Sequence, residues 1–595
     1  MKSEYNLSGA KLQLERERAL AEYTDAKDFF IKNYLTKWQK YANAYLGEVK
    51  RNLNGNWHSN KSIGVVGAIV GTTLIRLKKG LLHGGNGFWG LKAYEETPET
   101  DLYQKCYDEI LKYQYDSDHW AMEMHDDLLD ALRFGGGFLR VDWVYDEKER
   151  EYFDEIKGVV KAVKEAEVIY DGNHLQRCDP FRTFPDPHAK SFFQDMRYIA
   201  EEEDISVEDL KDEKNSKKFN VEQEYKLMLA ELNKKKYEKT QFIKQVTITK
   251  ENQKKVLILD RFLVQFTPNP FRHGEINYTY FFYDRVPGKV IGQGLIEKIF
   301  DLTEFLQQLL NLMMDALVIT TLPILVEKDT SLISSETLNW SPATVIRTPN
   351  GIDDIQRLDL GTTNPQSFNM TAEIQGLLNQ IASNQDMLNS PAEGNPSGIK
   401  TYGQARLVVN EGNLKFADII ELNADLGISK LVKMLVENIQ QFMVEKEARK
   451  LLGENAKSLN MGDKKIDMKM KFKYLSNADS STDTNDQKIN KIFNILPIFQ
   501  QLPGGQQAIN FDALANYIID TLDLPEMIFK KLLPEQAQAA GDRNNQLLTK
   551  IMYLAKQTGR QPMEILQLLK DDPTGGKLNE LLSQSAGAPA PEAQA

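Results

Sequence analysis

The residue types that could carry chemistry gather first at Gly394, where Gly-Asn-Pro-Ser-Gly-Ile-Lys-Thr runs to Thr401. This spacing is within one residue of a phosphate-binding loop, in which a lysine and a hydroxyl reach nucleotide phosphates and their magnesium ion. Such a loop needs glycine directly before the lysine, so that successive backbone N–H groups can turn toward the phosphates. Ile399 stands there instead, and a β-branched residue resists the positive φ angles of that wrap. A buried strand must also lead into the loop. The preceding residues, AEIQGLLNQIASNQDML, have the apolar spacing of a helix. The segment therefore reads as a Gly/Pro/Ser loop between two helices rather than a nucleotide site.

Other reactive groups are dispersed. His119 and His125 are six residues apart, which does not share a helix face, and no HExxH occurs. Glu123, Asp126, Asp127 and Asp130 form an acidic run that reads as a solvated helix face. Gly135–Gly137 lies between a helix and a strand, the reverse of the strand-to-helix order of a phosphate loop. Gly292 and Gly294 are followed by Lys298 and Ile299, so they read as a helix-entry turn. Lys234, Lys235 and Lys236 sit among Glu222, Glu224, Glu231 and Glu238, as on a solvated amphipathic helix. No Ser/His/Asp or Cys/His order stands out. The expectation is a chain without cofactor, metal or catalytic site, and not an enzyme.

The elements that would position these groups belong to an ordinary globular composition, 41% hydrophobic and 27% charged. A length of 595 residues suggests several units, about four on the usual domain size. The net charge of −12, from 85 acids and 73 bases, argues against tight gripping of nucleic acid by phosphate neutralisation. It is compatible with letting nucleic acid slide past. Two cysteines, Cys106 and Cys178, without CxxC exclude a disulfide scaffold and suit a reducing compartment. MKSEYNLSGAKLQLERERAL has no apolar core, so no signal peptide is expected. Residues 63–77 are apolar but too short to span a bilayer, and 305–326 carry Gln307, Gln308, Asn311 and Asp315. No stable membrane insertion is expected.

Along the chain, spacing predicts helices over 9–47 and 100–133, then a strand over 135–146. A Lys/Glu-rich surface helix follows at 214–238, then two strands, QFIKQVTIT and KVLILDRFLVQF, and a further one in INYTYFFYD. The centre differs. Residues 294–320 predict one helix, roughly 40 Å long. Its Leu295, Ile299, Leu302, Leu306, Leu309, Met313 and Ala316 repeat at 4-3-4-3-4-3, a stripe for packing lengthwise on neighbouring helices. Glu297, Asp301, Glu304, Gln308, Asn311 and Asp315 repeat on the other side. Pro323 ends this helix. Short strands in PILVEKD, ATVIRTPN and IQRLDL follow, then a helix from about Gln366 to Asn389, the loop, and a very long helix from near Thr401 to Phe442 with kinks at Gly412 and Gly427. After a strand in IDMKMKFKYL come short helices, and the tail SQSAGAPAPEAQA has a disordered composition.

This order resembles the portal proteins of tailed double-stranded DNA bacteriophages, most closely the short-tailed kind. The likeness covers about residues 10–480 and rests on ordering. It is carried by DALRFGGGFLRVDW (130–143), by CDPFRTFPDPHAKSFFQDMRYI (178–199), and most of all by NPFRHGEINYTYFFYDRVPGKVIGQGLIEKIFDLTEFLQQLLNLMMDAL (269–317). In the last, a His-Gly turn leads to Gly-x-Gly and a long helix, with Asn277 where the family would carry proline. The resemblance implies a mainly helical α+β portal fold that forms a ring, a dodecamer. The wing would be 1–290, the first stem helix 291–320, the clip 321–361, and the second stem helix 362–389. The tunnel loop would be 390–403, the channel-spanning helix 404–455, the crown 456–572 and the disordered tail 573–595. It further implies a place at one capsid vertex of the virion, and the host cytoplasm during assembly. Partners would be the DNA passing through the ring, the terminase large subunit, the major capsid and scaffolding proteins, and tail adaptor proteins. Candidate residues are Asn395, Ser397 and Lys400 facing DNA, Leu295 through Met313 of the stripe packing the stem, and Lys328, Arg347 and Arg357 in the clip.

Two other readings remain at this level: an oligomeric structural adaptor that passes no DNA, and a nucleotide-dependent enzyme using the Gly394 loop. Lys400→Ala separates the last from the channel. A channel loop predicts normal assembly, no nucleotide affinity to lose, and altered DNA packaging or retention. Nucleotide binding by the native chain that vanishes in the variant, read by a fluorescent-nucleotide titration, would restore the phosphate-loop reading.

Overall fold

The computed structural model describes residues 9–48, 59–82, 87–94, 98–156, 159–211, 218–234, 242–259, 261–321, 325–327, 355–357, 365–382, 415–443, 448, 451–452 and 472–476. The chain divides into two compact units, Met1–Ser480 and Ser481–Ala595, and all described residues lie in the first.

The expected N-terminal helix is α1 (Ala10–Phe30) running through a π turn (Ile31–Leu35) into α2 (Thr36–Leu46). Ala19, Tyr23, Ala26 and Phe30 are buried at 4-3-4 spacing, and Trp38, Tyr41 and Ala44 continue the buried side beyond the turn. The π turn supplies the extra residue that this change of register needs. Next comes α3 (Val65–Leu82), then β1 (Trp89–Ala93).

The single helix expected over 100–133 is two, α4 (Pro98–Ser117) and α5 (Trp120–Phe134). The break has a tertiary cause. Asp118 accepts the Leu175 backbone N–H at 3.1 Å and the Trp120 indole N–H at 3.0 Å, and His174 Nδ1 lies 2.8 Å from it. His119 takes a left-handed φ of 53° to make this turn. Helical periodicity alone carries no sign of a partner in a later strand.

The strand expected at 135–146 is longer. β2 (Gly137–Ile156) pairs antiparallel with β3 (Val159–Cys178) from Phe138↔Cys178 to Ile156↔Val159. A second sheet has the order β4-β5-β6-β7-β8, antiparallel throughout. It comprises β4 (Thr183–Pro185), β5 (Ile199–Ser206), β6 (Phe242–Thr249), β7 (Gln253–Ile258) and β8 (Phe262–Pro268). KVLILDRFLVQF is thus two strands, because the chain reverses at Leu259, whose φ is 56°. Between β5 and β6 lie α6 (Val207–Lys211) and α7 (Glu222–Lys234), the latter shorter than the expected 214–238. Met228 and Leu232 of α7 seal a small core with Ile243, Val256, Ile258 and Val264.

β9 (Tyr278–Phe281) joins the free side of β2, giving a three-stranded sheet of order β3-β2-β9. Arg140 ties the two sheets together. From β2 it meets Asp142 at 2.7 Å and, on β5, Glu203 at 2.8 Å and Glu201, while the Tyr278 hydroxyl donates to Glu201 at 2.7 Å. A charge this enclosed is tolerated only because several acids and hydrogen bonds meet it. Asn277 holds β2 with its side-chain amide on Val141 O at 3.0 Å and Asp142 at 2.9 Å.

The long helix is α8 (Leu295–Thr321). Then come β10 (Leu325–Glu327), β11 (Ile355–Arg357) and α9 (Pro365–Ile381). A further helical stretch holds α10 (415–423), a π turn (Ala424–Ile428) and α11 (Ser429–Phe442). The kink expected at Gly427 is this π turn. Its widened backbone lets Gly427 O accept the Thr279 hydroxyl at 2.9 Å. β12 (Phe472–Ser476), within the expected IDMKMKFKYL strand, pairs antiparallel with β1.

One crossing fixes the entry to α8. A Cβ at Gly135, whose φ is 92°, would lie 2.3 Å from Gly292 O. The Tyr280 hydroxyl bridges the same place, donating to Gly135 O at 3.1 Å and accepting the Gly292 N–H at 2.9 Å. Gly135→Ala must both strain φ and separate two backbones. It is expected to destabilise the chain by about 3 kcal/mol or more, read as a clear fall in melting temperature; an unchanged melt would contradict the crossing.

Candidate functional site

α8 divides into two halves by what covers it. In the first half Leu295, Ile299 and Leu306 are fully buried in the chain's own core, and Leu302 and Leu309 pack partly against it. Lys298 pairs with Asp284 and lies 5.6 Å above the Tyr283 ring. Lys415, from α10, sits 5.8 Å from the same ring and donates to Ile381 O at 3.0 Å, at the end of α9. Burial lowers the Lys415 pKa, and the neighbouring Lys298 adds to that. Beside the first turns lies a cleft of about 420 Å3 lined by Tyr34, Trp38, Tyr41, Phe134 and Glu297. Burial, with Glu297 and Asp301 nearby, pushes Tyr41 up to about 12, so its phenol stays neutral.

The second half is covered differently. Gln307, Asn311 and Asp315 face the extended segment 59–63. The backbone N–H groups of Ser59, Lys61 and Ile63 donate to Asp315, Asn311 and Gln307 respectively, the last two at 2.9 and 3.1 Å. Asn311 also donates to Lys61 O at 3.1 Å. Asn311 and Asp315, of the polar repeat, are therefore buried. Some apolar residues of this half are exposed, Leu312 at 54% and Leu317 at 58%, as is Phe305 of the first half at 44%. Met313 is half-buried.

α9 packs along α8. It buries Ile374, Leu378 and the following Ala382, and leaves Met370 and Leu377 exposed at 43% and 49%. Between the two helices in sequence, β10 and β11 pair antiparallel, Leu325↔Arg357 to Glu327↔Ile355. Arg357 thus closes a two-stranded ladder. Lys328 and Arg347, and Asn395, Ser397 and Lys400 of the loop, lie outside the described residues, as does the middle strand expected in ATVIRTPN.

The His-Gly turn ahead of β9 is anchored to α11. Gln441 accepts the Arg272 N–H and donates to Pro270 O, both at 2.6 Å. His273 accepts the Glu275 N–H at 3.1 Å, and Gly274 supplies a φ of 69°. Burial pushes His273 down to about 4, so the ring is neutral and positional.

The acidic run on α5 corrects the sequence reading. Asp127 and Asp130 are buried, because the spacing of Glu123, Asp127 and Asp130 turns them toward β3. Arg177 of β3 donates its side chain to Asp130 and its backbone N–H to Glu123 at 2.7 Å. Asp127 has neither oxygen hydrogen-bonded. Burial holds its carboxyl well above the ordinary range, with the Asp130 charge adding to the effect. Burial raises Asp130 to about 6 against the pull of Arg177. Among the described residues no group of three His, Cys, Asp or Glu could hold a metal ion, and no helix is long and apolar enough to cross a membrane.

Both raised carboxyls bind protons more tightly folded than unfolded. Their stabilising effect is complete below the unfolded value, about 3.9, and is lost as pH rises through the folded values. Asp127→Asn should therefore melt with the native chain at pH 4 and above it at pH 8. Equal melting at both pH values would show Asp127 ionised in the fold.

Residues 252–546 match the family model described as phage SU10 portal protein. No curated protein matches the chain. The match runs from the start of β7, through the His-Gly turn, α8, the β10–β11 ladder and α9, to beyond β12; the motifs at 130–143 and 178–199 precede it. Through residues 252–546 the chain belongs to the phage SU10 portal protein family.

Proposed function

We propose that the chain forms a ring at one capsid vertex and that DNA passes through its lumen during packaging and ejection. The observation that carries this is the exposed apolar surface of α8 and α9 within the matched region, Phe305, Leu312, Leu317, Met370 and Leu377. Isolated exposed leucines mean little, but several large exposed apolar side chains on two packed helices favour an interaction surface. A second copy of the chain is its occupant, since repeated lengthwise contact between identical helices closes into a ring.

In this reading residues 1–290 are the wing, 291–320 and 362–389 the stem, and 321–361 the clip. The loop 390–403 faces the channel, 404–455 spans it, and 456–572 form the crown. The β10–β11 ladder has two described strands of three residues each, too little for a stable sheet alone, so the clip completes its pairing with neighbouring copies. The clip docks the terminase large subunit and later the tail adaptors, while the outer regions meet the major capsid and scaffolding proteins. Lys400 gives one cation per copy at the loop, a weak, salt-screened contact that lets DNA slide.

Two substitutions separate folding from assembly. Leu306 is buried within the chain, so Leu306→Asp should unfold it, at a cost of several kcal/mol. Leu312→Asp with Leu317→Asp should leave the circular dichroism and the melt of the monomer intact and abolish closed rings. Sedimentation and negative-stain images read the result. Unchanged rings in the double variant, or no rings with an open lumen from the native chain, would overturn the proposal.

A further inference from the structure

We infer that residues 59–63 are a strap, recognised by its backbone, that sets which side of α8 each copy presents to the next; this rests on the ring reading above. Three donors two residues apart, at Ser59, Lys61 and Ile63, meet three acceptors spaced four apart, at Asp315, Asn311 and Gln307. The match is geometric. Two residues of extended chain rise about 6.7 Å and four residues of helix about 6.0 Å, so strap and helix stay in step over this length.

Asn311 completes a peptide-like pair, accepting from Lys61 N and donating to Lys61 O. The side chains of Lys61, Ser62 and Ile63 are exposed, so the described contacts with α8 run through the strap's backbone. At its end Gly64, with φ 62°, turns the chain into α3, which packs on α5 and α8. A strap tied in this way to a packed helix resists rotation of α8 about its axis.

The consequence follows from the helix repeat. At about 100° per residue, Asn311 stands opposite the line between Leu309 and Met313, and Leu312 and Leu317 flank that line. With Leu309 packed partly against the core, docking the strap on the polar side fixes Leu312 and Leu317 on the two exposed flanks. Without the strap, the second half of α8 loses the one described contact on its polar side, and its rotational setting is held less tightly where Leu312 and Leu317 meet a neighbouring copy.

Lys61→Pro removes one strap N–H without touching α8, and Lys61→Ala keeps the backbone and serves as its control. Native mass spectrometry at matched concentration reads copy number and ring yield, and hydrogen exchange reads the amides of residues 59, 61 and 63. Lys61→Ala should match the native chain, with slow exchange at all three amides. Lys61→Pro should free Ser59 and Ile63 to exchange and lower ring yield by about tenfold or more, as expected for a buried amide left without its partner. If Lys61→Pro fails to fold, Gln307→Leu, which removes the acceptor for Ile63, takes its place in the same comparison. Native rings matched in yield and copy number by the variant, or fast exchange at the three amides of the native chain, would overturn the strap alone. Absence of rings from the native chain would overturn the ring reading and this one with it.

Discussion

Two backbones cross at Gly135 and Gly292 at a separation that leaves no room for a Cβ on Gly135, and much of the first unit hangs on that contact. The turn from α5 into β2 is one side of it, and the entry to α8 is the other. Tyr280, from β9, fixes both backbones with one hydroxyl. Gly137 is just as confined, since a Cβ there would lie 2.3 Å from Asp127 O. The direction in which the long helix leaves the body is thus set by main-chain contact rather than by side-chain packing. That is a stiff joint, because the interdigitation that lets packed side chains adjust is missing.

From this joint α8 runs out with two duties along its length. Its first turns are ordinary core, held by Leu295, Ile299 and Leu306. Its later turns are clasped on the polar side by 59–63 and left apolar on the other. The heptad residues are covered more fully in the first half than in the second, where Met313 is half-buried and Leu312 and Leu317, beside the stripe, stand uncovered. The portal family match spans the whole helix, so the division lies within the matched region.

Much of this was legible in the sequence because it is local. The helices at 9–47 and 294–320 announced themselves by spacing, and the strands QFIKQVTIT and INYTYFFYD by β-formers between turn residues. The kink at Gly427 followed from a glycine in a helix. What escaped was set by distant partners. Asp118 breaks a helix because residues 174 and 175 need its carboxylate. Asp127 and Asp130 look like a solvated run until β3 brings Arg177 to them. Asn311 and Asp315 read only as part of a polar repeat, with no sign that 59–63 lies along them and along Gln307. The regular step of four residues between amide and acid side chains was the one available signal. It could be read only with an extended segment free to match it. The Gly394 loop and most of the clip fall outside the described residues, so their reading rests on sequence and family.

The borders of the five-stranded sheet carry a further meaning. Asn220 lies along β8 as a neighbouring strand would, accepting the Phe266 N–H at 2.8 Å and donating to Phe266 O at 2.6 Å, and Val221 donates to Val264 O at 3.1 Å. At the opposite border β4 is only three residues long and ends in Pro185. An uncapped border strand recruits any passing strand. For a molecule made in many copies that must meet one another, such recruitment would be a trap, a fast route to the wrong partner. Sealing both borders of this sheet removes one class of wrong collision, so fidelity of assembly depends on which encounters have nothing to hold.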